Sequence, residues 1–123
     1  MIYFSYRLIY QGKIHVQTHV SGDTLRRIKR AVLSGNYVFS EKAFIEMEAD
    51  SLAELDVAES ILNAVAIYKT LRSRSPYRQR RVEYLHVIQS TNLDGLMIYT
   101  KGKLVDEAGV ETYYFLISSK KAI

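Results

Sequence analysis

The side chains whose types and spacing could do chemistry in this chain are mainly cationic and phenolic. From Lys69 to Arg81 six cations (Lys69, Arg72, Arg74, Arg78, Arg80 and Arg81) occur with no carboxylate before Glu83. An ordinary solvated loop mixes both signs of charge, so a one-signed run beside strand-like sequence reads as a surface that attracts a polyanion. Further along, the period of two in a strand places Tyr99, Lys101 and Lys103 on one face, with Met97 and Val105 at its ends. Lys120 and Lys121 follow the last strand, and Tyr77 sits inside the basic run, where its ring can stack on a splayed base. Any one of these lysines is explained by solubility or edge protection. It is their grouping that argues for a binding face.

The chemistry such groups could perform is phosphodiester cleavage. Metal-free cleavage of RNA needs a base for the 2′-OH, cations for the dianionic phosphorane and an acid for the leaving 5′-oxygen. An unperturbed lysine, with a pKa of about 10.4, is deprotonated in roughly one molecule in 2,500 at neutral pH. Lysines here are therefore phosphate clamps or acids unless crowding by other cations depresses them. His86 is the near-neutral titrating group close to the basic run and is the candidate general base. Its plainer reading is a half-buried, hydrogen-bonded histidine sharing a strand face with Val82, Tyr84 and Ile88. Arg72, Arg74, Arg78, Arg80 and Arg81, helped by Lys101 and Lys103, would grip flanking phosphates, where the guanidinium fork favours bidentate contact. His15 and His19 are four apart in extended sequence without acidic or thiol companions, which argues against a metal site. No glycine-rich phosphate loop, serine–histidine–acid order or catalytic carboxylate pair can be assembled, and no cofactor is expected.

The frame that must position these groups is a single domain of 123 residues. Its net charge of +4 divides unevenly: residues 1–66 carry −1 and residues 67–123 carry +5, so the back half is expected to meet the anion. The absence of cysteine excludes disulfides and thiolate metal sites and fits a reducing cytoplasm. No apolar run approaches membrane-spanning length, so a cytoplasmic location without membrane partners is the expectation. Residues 1–17 read either as a hairpin turning at Gln11-Gly12 or as an extension ahead of the true start. A helix is predicted from a Ser21 or Asp23 cap to Ser34, closed by Gly35, burying Leu25, Ile28 and Val32 and exposing Arg26, Arg27 and Arg30. An extended piece, Tyr37–Phe39, leads to a second helix capped by Ser40 with Ala43, Phe44 and Met47 inward. A third follows a Ser51–Glu54 capping box and buries Leu55, Ala58, Leu62 and Val65.

The pattern then changes to strands over 67–72, 82–89, 96–105 and 112–119, with turn signals at 92–95 and 106–109 that make the last three an antiparallel meander. Helices first and strands second predict an α+β fold, with two to three N-terminal helices packed on one face of a twisted, mainly antiparallel sheet of four or more strands.

Five short stretches, Thr18-His19, Val32-Leu33-Ser34-Gly35, Ile67-Tyr68-Lys69-Thr70, Ile98-Tyr99-Thr100-Lys101 and Leu116-Ile117-Ser118-Ser119-Lys120, follow one another in the order found in the MqsR type of messenger-RNA-cleaving toxins. Over residues 18–121 the chain resembles that family. It is also similar to a group of small bacterial proteins known only as a domain of unknown function, whose members read Phe-Ser-Glu-His-Ala where this chain has Phe39-Ser40-Glu41-Lys42-Ala43. The resemblance implies a RelE-like fold, metal-independent endoribonuclease activity on single-stranded messenger RNA, and membership of a bacterial toxin–antitoxin pair whose antitoxin often carries a zinc finger. Matched residue by residue, it puts catalytic roles on Lys69, Tyr99 and Lys120, while the glutamine that the family uses has no secure counterpart. The competing reading is a non-catalytic basic module that docks an acidic protein or a nucleic acid.

Overall fold

The structure, a computed structural model, describes residues 20–78 and 82–123. The expected hairpin over residues 1–17, the Thr18-His19 stretch, and Arg80 and Arg81 lie outside the described residues.

Helix α1 (Val20–Leu33) has Asp23 in its first turn and Arg30 in its last, both placed as the helix dipole favours. Leu25, Ile28 and Val32 are buried as the periodicity predicts. The helix starts ahead of either expected cap, so Asp23 lies within it and accepts from Arg26 Nη2 at 2.7 Å. Gly35, at φ 77°, takes the left-handed conformation that turns the chain out of the helix. Strand β1 (Tyr37–Phe39) then leads to Ser40, the N-cap of α2 (Glu41–Ala49), whose Oγ accepts from the Ala43 N–H at 3.0 Å. Ala43 and Met47 are buried, whereas Phe44 is 48% exposed.

Helix α3 (Glu54–Asn63) departs from expectation. Ser51 sits at φ 57° instead of capping, and the Ala53 N–H donates to Asp56 Oδ2 at 2.9 Å, so the helix begins about two residues later than the capping box implied. Its inward stripe is Val57, Ala58, Ile61 and then Ala64, while Leu55, Leu62 and Val65 are exposed.

Strands β2 (Lys69–Arg72), β3 (Tyr84–Thr91), β4 (Met97–Glu107) and β5 (Val110–Lys121) join β1 in a five-stranded sheet of order β1-β5-β4-β3-β2. β1 runs parallel to β5 and every other pair is antiparallel. Asn92 builds the β3–β4 turn, its Oδ1 accepting from the N–H groups of Asp94 (3.0 Å) and Leu96 (2.9 Å). The fold is α+β: Ile88, Ile98, Tyr114 and Leu116 from one sheet face join the buried residues of all three helices in a core between the two layers.

Tyr114 and Gly102 lock this core to the sheet. Tyr114 is fully buried, its ring lies across Gly102, and its hydroxyl faces the His86 carbonyl at 3.5 Å. A Cβ on Gly102 would stand 2.7 Å from the Tyr114 ring and 2.7 Å from the Phe115 carbonyl oxygen, distances no methyl group tolerates. Gly102→Ala is therefore expected to destabilise the fold by about 1–3 kcal/mol through overpacking. Urea unfolding measures this, and a midpoint equal to that of the parent chain would contradict the close approach.

Candidate nucleic-acid interface

The sheet face turned away from the helices carries Lys69, Tyr99, Lys101, Lys103 and Lys120. On β4, Ile98, Thr100 and Gly102 are buried toward the helices, and the alternation leaves Tyr99, Lys101 and Lys103 on the other side. Register extends that face across the sheet: Gln89, Tyr99 and Lys120 form one row, and Lys69, Val87, Lys101 and Ser118 form the next. Tyr99 and Lys120 are direct partners, with the Lys120 ammonium 5.3 Å from the Tyr99 ring centroid. Lys69 shares the face but is three strands from β5, and strand spacing puts its α-carbon about 16 Å from that of Lys120. Lys101 bridges the gap and has no hydrogen-bonding or ionic partner among the described residues.

The Tyr99–Lys120 pair is held from the side by α2. β1 covers the outer edge of β5 only over Tyr114–Leu116, and beyond it the helix takes over. Glu46 Oε1 accepts from Ser118 Oγ at 2.7 Å and from the Ser119 N–H at 3.1 Å. Asp50 Oδ2 accepts from the Lys121 N–H at 2.8 Å. The second oxygen of Glu46 lies 4.0 Å from Lys120 Nζ and 3.9 Å from Lys42 Nζ. Partial burial, and then the negative charge of Glu46, raise the Tyr99 phenol above its ordinary pKa, so it stays protonated at neutral pH and acts as a donor.

The described part of the basic run forms the opposite corner. β2 is exposed along its whole length and is an edge of the sheet among the described residues. The Ser73 N–H donates to the Glu83 carbonyl at 2.7 Å and continues the ladder. The loop then folds on itself: Ser73 Oγ accepts from the Ser75 N–H (3.3 Å), Ser75 Oγ accepts from the Tyr77 N–H (3.1 Å), and Arg78 Nη1 donates to the Ser75 carbonyl (2.9 Å). Leu71, Arg72, Ser73, Arg74, Arg78 and Leu85 line an open hollow of about 560 Å³. Tyr77 projects beside it, 89% exposed.

Two expected site residues are otherwise engaged. His86 pairs with Thr70 and Gly102, so its side chain emerges on the helix-bearing face, away from Tyr99, Lys101 and Lys120. Its Nδ1 lies 3.2 Å from Thr70 Oγ1, and desolvation followed by the charge of Arg27 lowers its pKa, so it is a neutral, half-buried histidine rather than a base for a site on the open face. Lys103 stays on the open face but is committed to a part-buried ion pair with Glu83 at 2.9 Å. The residue that sequence reasoning missed is Glu46. A carboxylate pair at i, i+4 (Glu46, Asp50) toward the end of a helix that lacks a base in its last turn was the available signal.

Among the described residues no cluster of histidines, cysteines or carboxylates could hold a metal ion, and no helix is long and apolar enough to cross a membrane. Compared with protein-family models, with curated proteins and with solved structures, the chain matches none.

Because folding lowers the pKa of His86, its neutral form is the one the fold stabilises. That contribution is complete above the unfolded value of about 6.5 and is lost as pH falls through 6.5 toward the lower folded value. Thermal melts at pH 7.5 and 5.5 should show a smaller loss for His86→Gln than for the parent chain. Equal losses would remove His86 from the linkage.

Proposed function

We propose that this chain is a metal-independent endoribonuclease of the toxin–antitoxin kind, cutting single-stranded RNA by attack of the 2′-OH on the adjacent phosphate. The observation that carries the reading is the register pairing of Tyr99 with Lys120 on the lysine-bearing sheet face turned away from the helices, with a carboxylate oxygen of Glu46 beside them. In this mechanism Glu46 accepts the 2′-OH proton and Lys120, with Lys101, holds the charge of the phosphorane. Tyr99, kept protonated, donates to the departing 5′-oxygen and leaves a 2′,3′-cyclic phosphate. Lys69, farther along the face, is a phosphate contact instead of a participant in the chemistry. The RNA continues toward the hollow lined by Arg72, Arg74 and Arg78, with Tyr77 as a stacking platform. An antitoxin, of the zinc-finger type where the family resemblance holds, would silence the site by covering this face.

A second reading has its own support. With His86 on the other face, no group with a near-neutral ordinary pKa stands beside Tyr99 and Lys120 among the described residues, as befits a module that binds RNA or an acidic protein without cutting. Substitution separates the two. Tyr99→Phe and Lys120→Ala should each lower cleavage of single-stranded RNA by roughly a hundredfold or more with the fold intact, and should relieve growth arrest on induction in bacteria. Parent-level cleavage in both folded variants would remove them from the chemistry, and absence of cleavage by the parent chain would favour the module.

If about four phosphates are neutralised, the log–log salt dependence of single-strand binding should have a slope of about −3. Arg74→Glu and Arg78→Glu should each abolish one phosphate interaction and so flatten the slope by about 0.7. An unchanged slope in the double variant would exclude the hollow from the RNA path.

A further inference from the structure

The charge of the chain has a second pole. Residues 41–59 contain seven of the thirteen carboxylates and a single cation, Lys42, for a net −6, which leaves +10 on the rest of the chain. Phe39 of β1 joins Phe44, Ile45, Met47, Leu52 and Ala53 of this segment in an apolar groove of about 740 Å³ between α2 and the turn into α3, and Glu41, Glu48 and Glu54 complete its lining. Phe39, Met47 and Leu52 are the buried floor. Phe44, its ring 5.3 Å from that of Phe39, is joined at the surface by Ile45, 61% exposed, and by Leu55 just beyond the lining, 66% exposed.

The carboxylates of this segment fall into two groups. Glu46 and Asp50 seal the β5 edge, Asp56 accepts from the Ala53 N–H and from Asn92 Nδ2, and Glu59 accepts from the Leu93 N–H. Glu41, Glu48 and Glu54 have no cationic partner among the described residues, and Lys42, in the same segment, lies against Glu46. Glu41 and Glu54 gain from the positive ends of α2 and α3. Glu48 does not. It stands in the last turn of α2, where the dipole opposes a negative charge and no base is present. Exposed apolar side chains ringed by uncompensated carboxylates, in a protein that is otherwise strongly cationic, have the form of a recognition groove rather than of a solvated helix face.

We propose that this groove docks a cationic amphipathic segment of a protein partner. Its apolar side chains would enter between Phe44, Ile45 and Leu52, and its lysines or arginines would reach Glu41, Glu48 and Glu54. Charge complementarity selects this occupant: an acidic segment would be repelled by the rim, and RNA would be repelled by the whole α2–α3 segment. The groove is separate from the Tyr99–Lys120 face, so it holds whether or not that face cuts RNA.

The test uses the full chain and a fluorescent synthetic amphipathic peptide of leucine and lysine, with a leucine–glutamate peptide of the same pattern as control. The parent chain should bind the lysine peptide in a salt-sensitive manner despite its net positive charge, and should ignore the glutamate peptide. Ile45→Ser combined with Glu48→Lys changes only exposed positions, and circular dichroism and melting verify its fold. It should weaken binding at least tenfold. Equal affinity for parent and variant, no binding by the parent, or equal binding of both peptides would overturn the proposal. So would sedimentation showing that the parent self-associates through this face while the variant is monomeric, since the occupant would then be a second copy.

Discussion

A strand edge buried against a helix has to find partners for its backbone groups, because each group left unsatisfied costs about 1–3 kcal/mol. β1 is only three residues long, so the outer edge of β5 beyond Leu116 is such an edge. Side chains and a turn complete it. The Ser40 N–H donates to the Leu116 carbonyl at 2.8 Å, Ser40 Oγ donates to the Ile117 carbonyl at 2.9 Å, and Glu46 and Asp50 accept the next two outward N–H groups, those of Ser119 and Lys121. Positions i and i+4 on a helix are about 6 Å apart along its axis, and positions i and i+2 on a strand about 6.8 Å apart, so two carboxylates one helical turn apart match two alternate amides of an extended chain. That match fixes how α2 is rotated. Ala43 and Met47 then face the core, and the free oxygen of Glu46 comes to rest beside Lys120.

The same constraint joins the two layers. The helices bury one sheet face through Tyr114, Leu116, Ile88 and Ile98, and the other face carries Tyr99, Lys101 and Lys103 half-buried and Lys120 exposed. Glu46 reaches from the helical layer to the face that carries Lys120. It is therefore both a structural group, through Oε1, and an electrostatic one, through Oε2.

Much of this architecture was legible in the sequence where the signal is local. Alternation along β4 gave Tyr99, Lys101 and Lys103 a common face, the α1 stripe of Leu25, Ile28 and Val32 is buried, and both late turns fall at their Gly-containing signals. Ser51 has the right residue type for a cap but adopts a left-handed backbone conformation, leaving the start of α3 to Ala53 and Asp56. Two apolar stripes run along that helix, and the one buried is Val57, Ala58 and Ile61, which leaves Leu55, Leu62 and Val65 outward. The parallel pairing of β1 with β5 and the contact of Glu46 with Ser119 join residues more than seventy positions apart, which no local pattern encodes. The histidine was misassigned for a different reason. The period of two had already put His86 on the face of Ile88, and its chemistry drew it toward a site that its own strand turns away from.

The segregation of charge also governs how the molecule meets anything large and charged. With −6 concentrated in α2, α3 and their connection, and with cations on α1, on the lysine-bearing sheet face and at the β2 corner, charge is spread unevenly over the described residues. In the field of a polyanion such a body experiences a torque before contact, which turns α2 and α3 away from it. A larger share of diffusional encounters then begins in the right orientation. Because the torque acts across solvent, added salt should diminish this orienting effect along with the attraction itself.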